Sequence, residues 1–141
     1  MEFQKFADTY VVRLDKGEEI ISSLQTLCEK EEIKLASVEG IGAADCAVIG
    51  RYDVASRQYH KKELEGAMEI TSLMGNVTHM NGAVYLHLHI NLCDSELNIV
   101  GGHLNEYRIG ATGEIIIRTI PGQVGRLPDE AVTGLNLFQF S

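Results

Sequence analysis

The sequence predicts an α+β domain built on a mainly antiparallel β-sheet, with one long helix near the N-terminus. Three observations predict it. Only one stretch repeats its apolar residues at helical spacing: Ile20, Ile21, Leu24, Leu27 and Cys28 fall at i, i+1, i+4, i+7 and i+8. Much of the remainder alternates apolar and polar residues with a period of two, as half-buried strands do. Short turn-forming stretches such as Asn81-Gly82 separate these runs, and they suit hairpins better than helical crossovers.

In chain order, Phe3 to Leu14 reads as a first strand ending at the turn Asp15-Lys16-Gly17. Asp15 followed by Glu18 resembles a capping box, which starts the helix at about Gly17 and carries it to a solvated end at Glu32. Leu35 to Ile41 and Cys46 to Val54 read as two strands divided by Gly42, Ala43 and Ala44. Arg57 to Leu64 suits an edge strand rich in Lys and Arg, and Ala67 to Val77 follows as another, with Gly66 and Gly75 as punctuation. Asn81-Gly82 is a two-residue hairpin signal leading into the next strand. Beyond it, the loop Asn105 to Gly110 leads to a strand from Ala111 to Ile120. Pro121, Gly122, Gly125 and Pro128 interrupt regular structure, and Leu135 to Phe140 alternates again as a last short strand.

The stretch from Val84 to Leu104, VYLHLHINLCDSELNIVGGHL, organises the chain. Val84, Leu86, Leu88, Ile90 and Leu92 alternate with Tyr85, His87, His89 and Asn91, so His87 and His89 project from one face, about 7 Å apart. Asp94 to Asn98 is turn-like. A hairpin centred on Glu96 sets His89 opposite His103, because each lies seven residues from the centre. Three imidazoles then share one patch of sheet, a good donor set for a transition metal. Zinc is the first choice, through nitrogens about 2.0–2.1 Å from the ion, with a fourth position open to water or a small anion.

The 141 residues suit a single domain, 1–141, burying roughly two-thirds of its unfolded surface. Twenty acidic and twelve basic residues give a net charge of −8, which argues against a large non-specific nucleic-acid footprint. The N-terminus lacks a signal-peptide pattern and no run of about 18 apolar residues exists, so no membrane span is expected. Cys28, Cys46 and Cys93 are odd in number and widely spaced, which suits reduced, mostly buried thiols in a cytoplasmic protein.

Four segments carry a resemblance over nearly the whole chain. They are RLDKGEEI (Arg13 to Ile20), EITSLMGNV (Glu69 to Val77), HLHINLCDSELNIVGGHL (His87 to Leu104) and TGLNLFQF (Thr133 to Phe140). Together they resemble the plant and prokaryote conserved (PPC) domain family, with the HxH…GGH pattern the most specific part. The resemblance implies a compact α+β domain assembled as a homotrimer. It also implies that some members hold a metal through histidines matching His87, His89 and His103. Plant members are nuclear proteins joining this domain to AT-hooks, and single-domain prokaryotic members are often called DNA-binding by analogy. Two departures stand out. No AT-hook is present, and the plant hexapeptide Gly-Arg-Phe-Glu-Ile-Leu appears as Gly66 to Thr71 without its Arg and Phe, which would dominate a contact surface.

Other residues carry less. Glu69 is a candidate to support the metal site across the sheet, with pairing to a nearby Arg the simpler alternative. His79 reads as a loop-end residue and His60 as part of the edge strand. Gly40-Ile41-Gly42 and Gly101-Gly102 precede no helix, so neither forms the usual phosphate cradle. Arg51, Arg57, Lys61 and Lys62 form the most basic patch, offset by Glu63 and Glu65, and read as a solvated strand face. Ile115, Ile116 and Ile117 in succession imply a strand covered on both sides, within the chain and by a neighbouring copy or the C-terminal tail.

The leading reading is a homotrimeric metal-binding protein whose three histidines hold a site for a small ligand. DNA binding is the alternative, disfavoured by charge and by the missing AT-hook. A metal-dependent hydrolase or lyase is the third, although no nucleophile–base motif such as GxSxG occurs.

Overall fold

The computed structural model describes residues 1–140 and contains eight strands and one helix. The strands are β1 (Glu2–Phe6), β2 (Thr9–Asp15), β3 (Ala36–Asp53), β4 (Gln58–Met80), β5 (Ala83–Cys93), β6 (Ile99–Thr119), β7 (Gly125–Pro128) and β8 (Asn136–Gln139). The helix α1 spans Ile20–Lys30, between β2 and β3. Every strand pairing is antiparallel, in the order β1-β2-β6-β3-β4-β5. Because β5 also pairs with β6, the strands β3, β4, β5 and β6 close into a ring. A separate two-stranded sheet joins β7 to β8. The fold class read from the sequence is the one observed.

The helix is shorter than its apolar pattern suggested. It begins at Ile20, and the capping residue is Glu19, whose carboxylate accepts from the amides of Ile21 (3.0 Å) and Ser22 (2.7 Å). The Asp15–Glu18 pair closes the preceding turn instead: Glu18 Oε2 accepts from the Asp15 amide at 2.7 Å and Glu18 also pairs with the N-terminal ammonium. At the other end Glu32 takes a positive φ of 52°, and the Ile33 amide returns to the Cys28 carbonyl at 2.9 Å. That six-to-one bond satisfies a carbonyl the helix leaves open. Ile20, Leu24, Leu27 and Cys28 are fully buried, and burial pushes the Cys28 thiol up to about 12. No disulfide links the three cysteines.

The strands differ from the sequence reading mainly by being longer. Phe3 to Leu14 is two strands, because Ala7 at φ 52° turns the chain between β1 and β2. Leu35–Ile41 and Cys46–Val54 are one bent strand, β3, with register shifts at Gly40/Gly42 and Ala44/Cys46. Arg57–Leu64 and Ala67–Val77 are likewise one strand, β4. The supposed loop Asn105–Gly110 lies inside β6, where Tyr107 and Ile109 are buried. Bulges explain all three cases: an extra residue bends a strand without ending it. Gly125 to Pro128, read as irregular, forms β7 against the predicted last strand, now β8 (Asn136–Gln139).

The core lies inside the closed sheet and under the helix, with Val12, Leu14, Leu73, Leu88, Ile90, Leu92, Leu104, Ile115 and Ile117 all fully or almost fully buried. Ile116 points the other way and is half-buried. The turn at Asn81 (φ 53°) and Gly82 (φ 82°) is the tight hairpin expected, and it sets the register of β4 on β5.

Candidate metal centre

Strand alternation and one hairpin build the site. Leu88, Ile90 and Leu92 of β5 enter the core, so His87 and His89 stand on the outer face. Asp94 shapes the connection to β6, its Oδ1 accepting from the amides of Glu96 and Asn98, each at 2.9 Å. The resulting register sets His89 opposite His103 and Cys93 opposite Ile99, as the sequence arithmetic required.

The three rings form an almost equilateral triangle. Centroids are 5.3 Å apart for His87–His89, 5.2 Å for His87–His103 and 5.5 Å for His89–His103. One nitrogen from each lies within 4.8 Å of the others. A tetrahedral ion with bonds of about 2.1 Å needs nitrogens about 3.4 Å apart, a spacing that falls within this limit. His87 and His103 are half-buried and His89 is exposed. Burial, then the charges of His103, Arg126 and His89, pull the His87 proton affinity down to about 4. Burial and His89 lower His103 as well. Both therefore favour neutral imidazole near pH 7, the form a metal ion requires. The donor set fits zinc.

A cavity of about 820 Å³ opens over the triad. The C-terminal segment roofs it through Gly134, Leu135, Asn136, Leu137 and Phe138, and its walls include Tyr52, Tyr59, Asn76, Tyr85 and Arg126. Gly50, opposite His103, carries no side chain because the Tyr59 ring fills that space. Tyr59 in turn packs edge-on against His103 at 6.2 Å, held by a hydrogen bond from Asn105 Nδ2 at 2.8 Å.

The other candidates fall elsewhere. Glu69 sits opposite Cys93, four residues along β5 from His89, or about 13 Å, and does not line the cavity. His79 Nδ1 lies 3.1 Å from the Lys34 carbonyl, and His60 pairs in register with Arg51. Arg51, Arg57, Lys61 and Lys62 are all exposed, and of these only Arg51 borders the cavity. Arg13 pairs with Asp15, Arg108 with Asp45 and Arg118 with Glu39.

The sequence reading missed Arg126, Asn76 and the roofing role of the tail. Only Tyr85 carried a sequence cue, since it shares the alternation that places His87 and His89 on one face.

A family model described as the Plants and Prokaryotes Conserved (PCC) domain matches residues 1–121. A metal-containing protein of Archaeoglobus fulgidus is similar to this chain at 31% identity and TM-score 0.86, covering 99% of both chains. A protein of Bacteroides thetaiotaomicron, provisionally described as DNA-binding, is 29% identical with TM-score 0.95, covering 99% of this chain and 96% of its own. A plant- and prokaryote-conserved protein of Pyrococcus horikoshii is 28% identical with TM-score 0.85, covering 99% and 94%. A comparison with curated proteins finds no match.

Proposed function

The chain belongs to the Plants and Prokaryotes Conserved domain family, and on that premise we propose that it is a homotrimeric metal-binding protein whose His87, His89 and His103 hold zinc for a small ligand. The observation that carries this reading is the triangle of imidazoles, with donor nitrogens within 4.8 Å, at the floor of a roofed cavity. The metal-containing Archaeoglobus relative supports it. Zinc bound there would offer an open fourth position to water or an anion. Titration of zinc into metal-free protein is expected to saturate at about one ion per chain near pH 7.5. Because burial holds His87 down to about 4 and lowers His103 as well, uptake persists through mildly acidic pH and is lost as pH falls towards about 4, where protons compete for His87. No saturable uptake, or uptake indifferent to pH, contradicts the reading.

The trimer reading rests on an apolar face outside the core. Val11 lies opposite Ile116, and Glu39 lies between Ile116 and Met74 in the same row. Ile41 and Met74 are 57% and 62% exposed there, and with Val11 and Ile116 they border a hollow of about 770 Å³. Such a patch on a small domain suits contact with further copies. Sedimentation equilibrium is expected to return three chains, and Met74→Glu to lower that number. A wild-type monomer would refute it.

We take residues 1–141 as one domain working in the cytoplasm; among the described residues no helix is long and apolar enough to cross a membrane. DNA is the alternative partner, supported by the description of the Bacteroides relative. Net charge −8 opposes it. Duplex binding that persists from about 50 to 200 mM salt would favour that alternative.

A further inference from the structure

Arg126, on β7, is 6% exposed and has no acidic partner in any ion pair among the described residues. Its Nε donates to Thr78 Oγ1, Nη1 to the Asn136 carbonyl and Nη2 to Asn76 Oδ1, each at 2.8 Å. The rings of Tyr85 and Phe138 lie 4.5 and 4.6 Å from its Cζ. These neighbours orient the guanidinium, but all are neutral. Three of its five N–H groups are thereby engaged, leaving two for another acceptor. Burying a cation without a counter-charge is costly, so such groups are normally paired.

The cavity lining repeats the imbalance. The chain carries net charge −8, yet among the described residues no Asp or Glu lines the hollow that Arg126 shares with the three histidines, and the only other charged residue there is Arg51. A divalent ion on the triad would add further positive charge. The opposite requirement comes from Leu135, Leu137 and Phe138, which give the roof an apolar surface that an inorganic anion would leave uncovered. A volume of about 820 Å³ admits a small organic molecule.

We propose that this cavity binds a small organic acid, its carboxylate between the Arg126 guanidinium and the open position of the metal, its apolar body under the roof. A planar fork with two unspent donors matches a carboxylate. The metal end of this assignment rests on the proposed zinc site, whereas the Arg126 end does not.

Cobalt(II)-loaded protein, whose visible bands report the open position, tests it with benzoate, uncharged benzamide and inorganic phosphate as probes. Benzoate is expected to shift the bands saturably, with benzamide and phosphate at least about tenfold weaker. Arg126→Gln, which removes the charge, is expected to keep its cobalt and lose benzoate affinity by about tenfold or more. Arg126→Lys guards against a displaced tail, and its affinity should fall between Arg126→Gln and wild type. Equal binding of benzoate and benzamide, stronger binding of phosphate, or wild-type benzoate affinity in both variants would overturn the proposal. Failure to take up cobalt counts against the metal reading alone. Calorimetric titration of benzoate into metal-free wild type and Arg126→Gln then decides the Arg126 end: a preference for wild type supports it and no difference overturns it.

Discussion

Replacing His89 by alanine is expected to weaken zinc binding by more than about 100-fold while leaving the fold intact. Loss of groups that merely support a metal ligand commonly costs 10–100-fold, so loss of a ligand should exceed that. His89 is suited to the test because it is exposed and stands outside the packed core. Its removal opens no cavity, so any loss of affinity reports ligation and not unfolding. Melting provides a second readout. Zinc at 100 times its dissociation constant stabilises wild type by about 2.7 kcal/mol, and most of that shift should vanish in the variant. His79→Ala serves as the comparison: His79 lies against the Lys34 carbonyl, apart from the triad, and its loss should leave zinc affinity unchanged. Equal zinc affinity in His89→Ala and wild type would remove that residue from the site.

Gly75→Ala is expected to destabilise the protein by about 3 kcal/mol and to disturb zinc binding along with it. Gly75 pairs with Leu88, the residue between His87 and His89. A Cβ there would press into the His87 carbonyl oxygen and come within 2.9 Å of Leu88 Cα. Both obstacles are backbone, so no side chain can swing aside; β4 and β5 must separate or shift. Leu88 and Leu73 are buried beside this contact, and the shift would also loosen their packing. For a domain of this size the melting temperature should fall by about 10 °C. Thermal melting with and without zinc checks both parts, and a wild-type midpoint would show that the strands tolerate the added carbon.

The same hairpin explains why the centre of the molecule was legible. Asn81-Gly82 and the Asp94–Asn98 connection are local turn chemistry, and between them they fix the register that sets His89 opposite His103. Element ends were harder to read. Gly42, Gly66 and the stretch Asn105–Gly110 look like interruptions in isolation, yet each lies within a strand. Flanking strands supply the hydrogen bonds and bulges absorb the extra residues, a tertiary effect that no local pattern encodes. The helix start was misplaced by two similar carboxylates: Glu18 serves the turn and Glu19 the cap.

Arg126 was illegible for a different reason. It stands between Gly125 and Leu127 in a stretch broken by Pro and Gly, and its partners Asn76, Thr78, Tyr85 and Asn136 come from β4, β5 and β8. Glu69 is placed near the site across the sheet by its sequence position alone, and the register of β4 on β5 sets it opposite Cys93, beyond the histidines.

X-ray absorption at the zinc edge of the loaded protein tests the central claim most directly. Three imidazole nitrogens at about 2.0–2.1 Å are expected, with one oxygen or anion ligand and no sulfur. A sulfur shell at about 2.3 Å would move the metal to the cysteines, and a shell of oxygen alone would mean that His87, His89 and His103 are ordinary sheet surface.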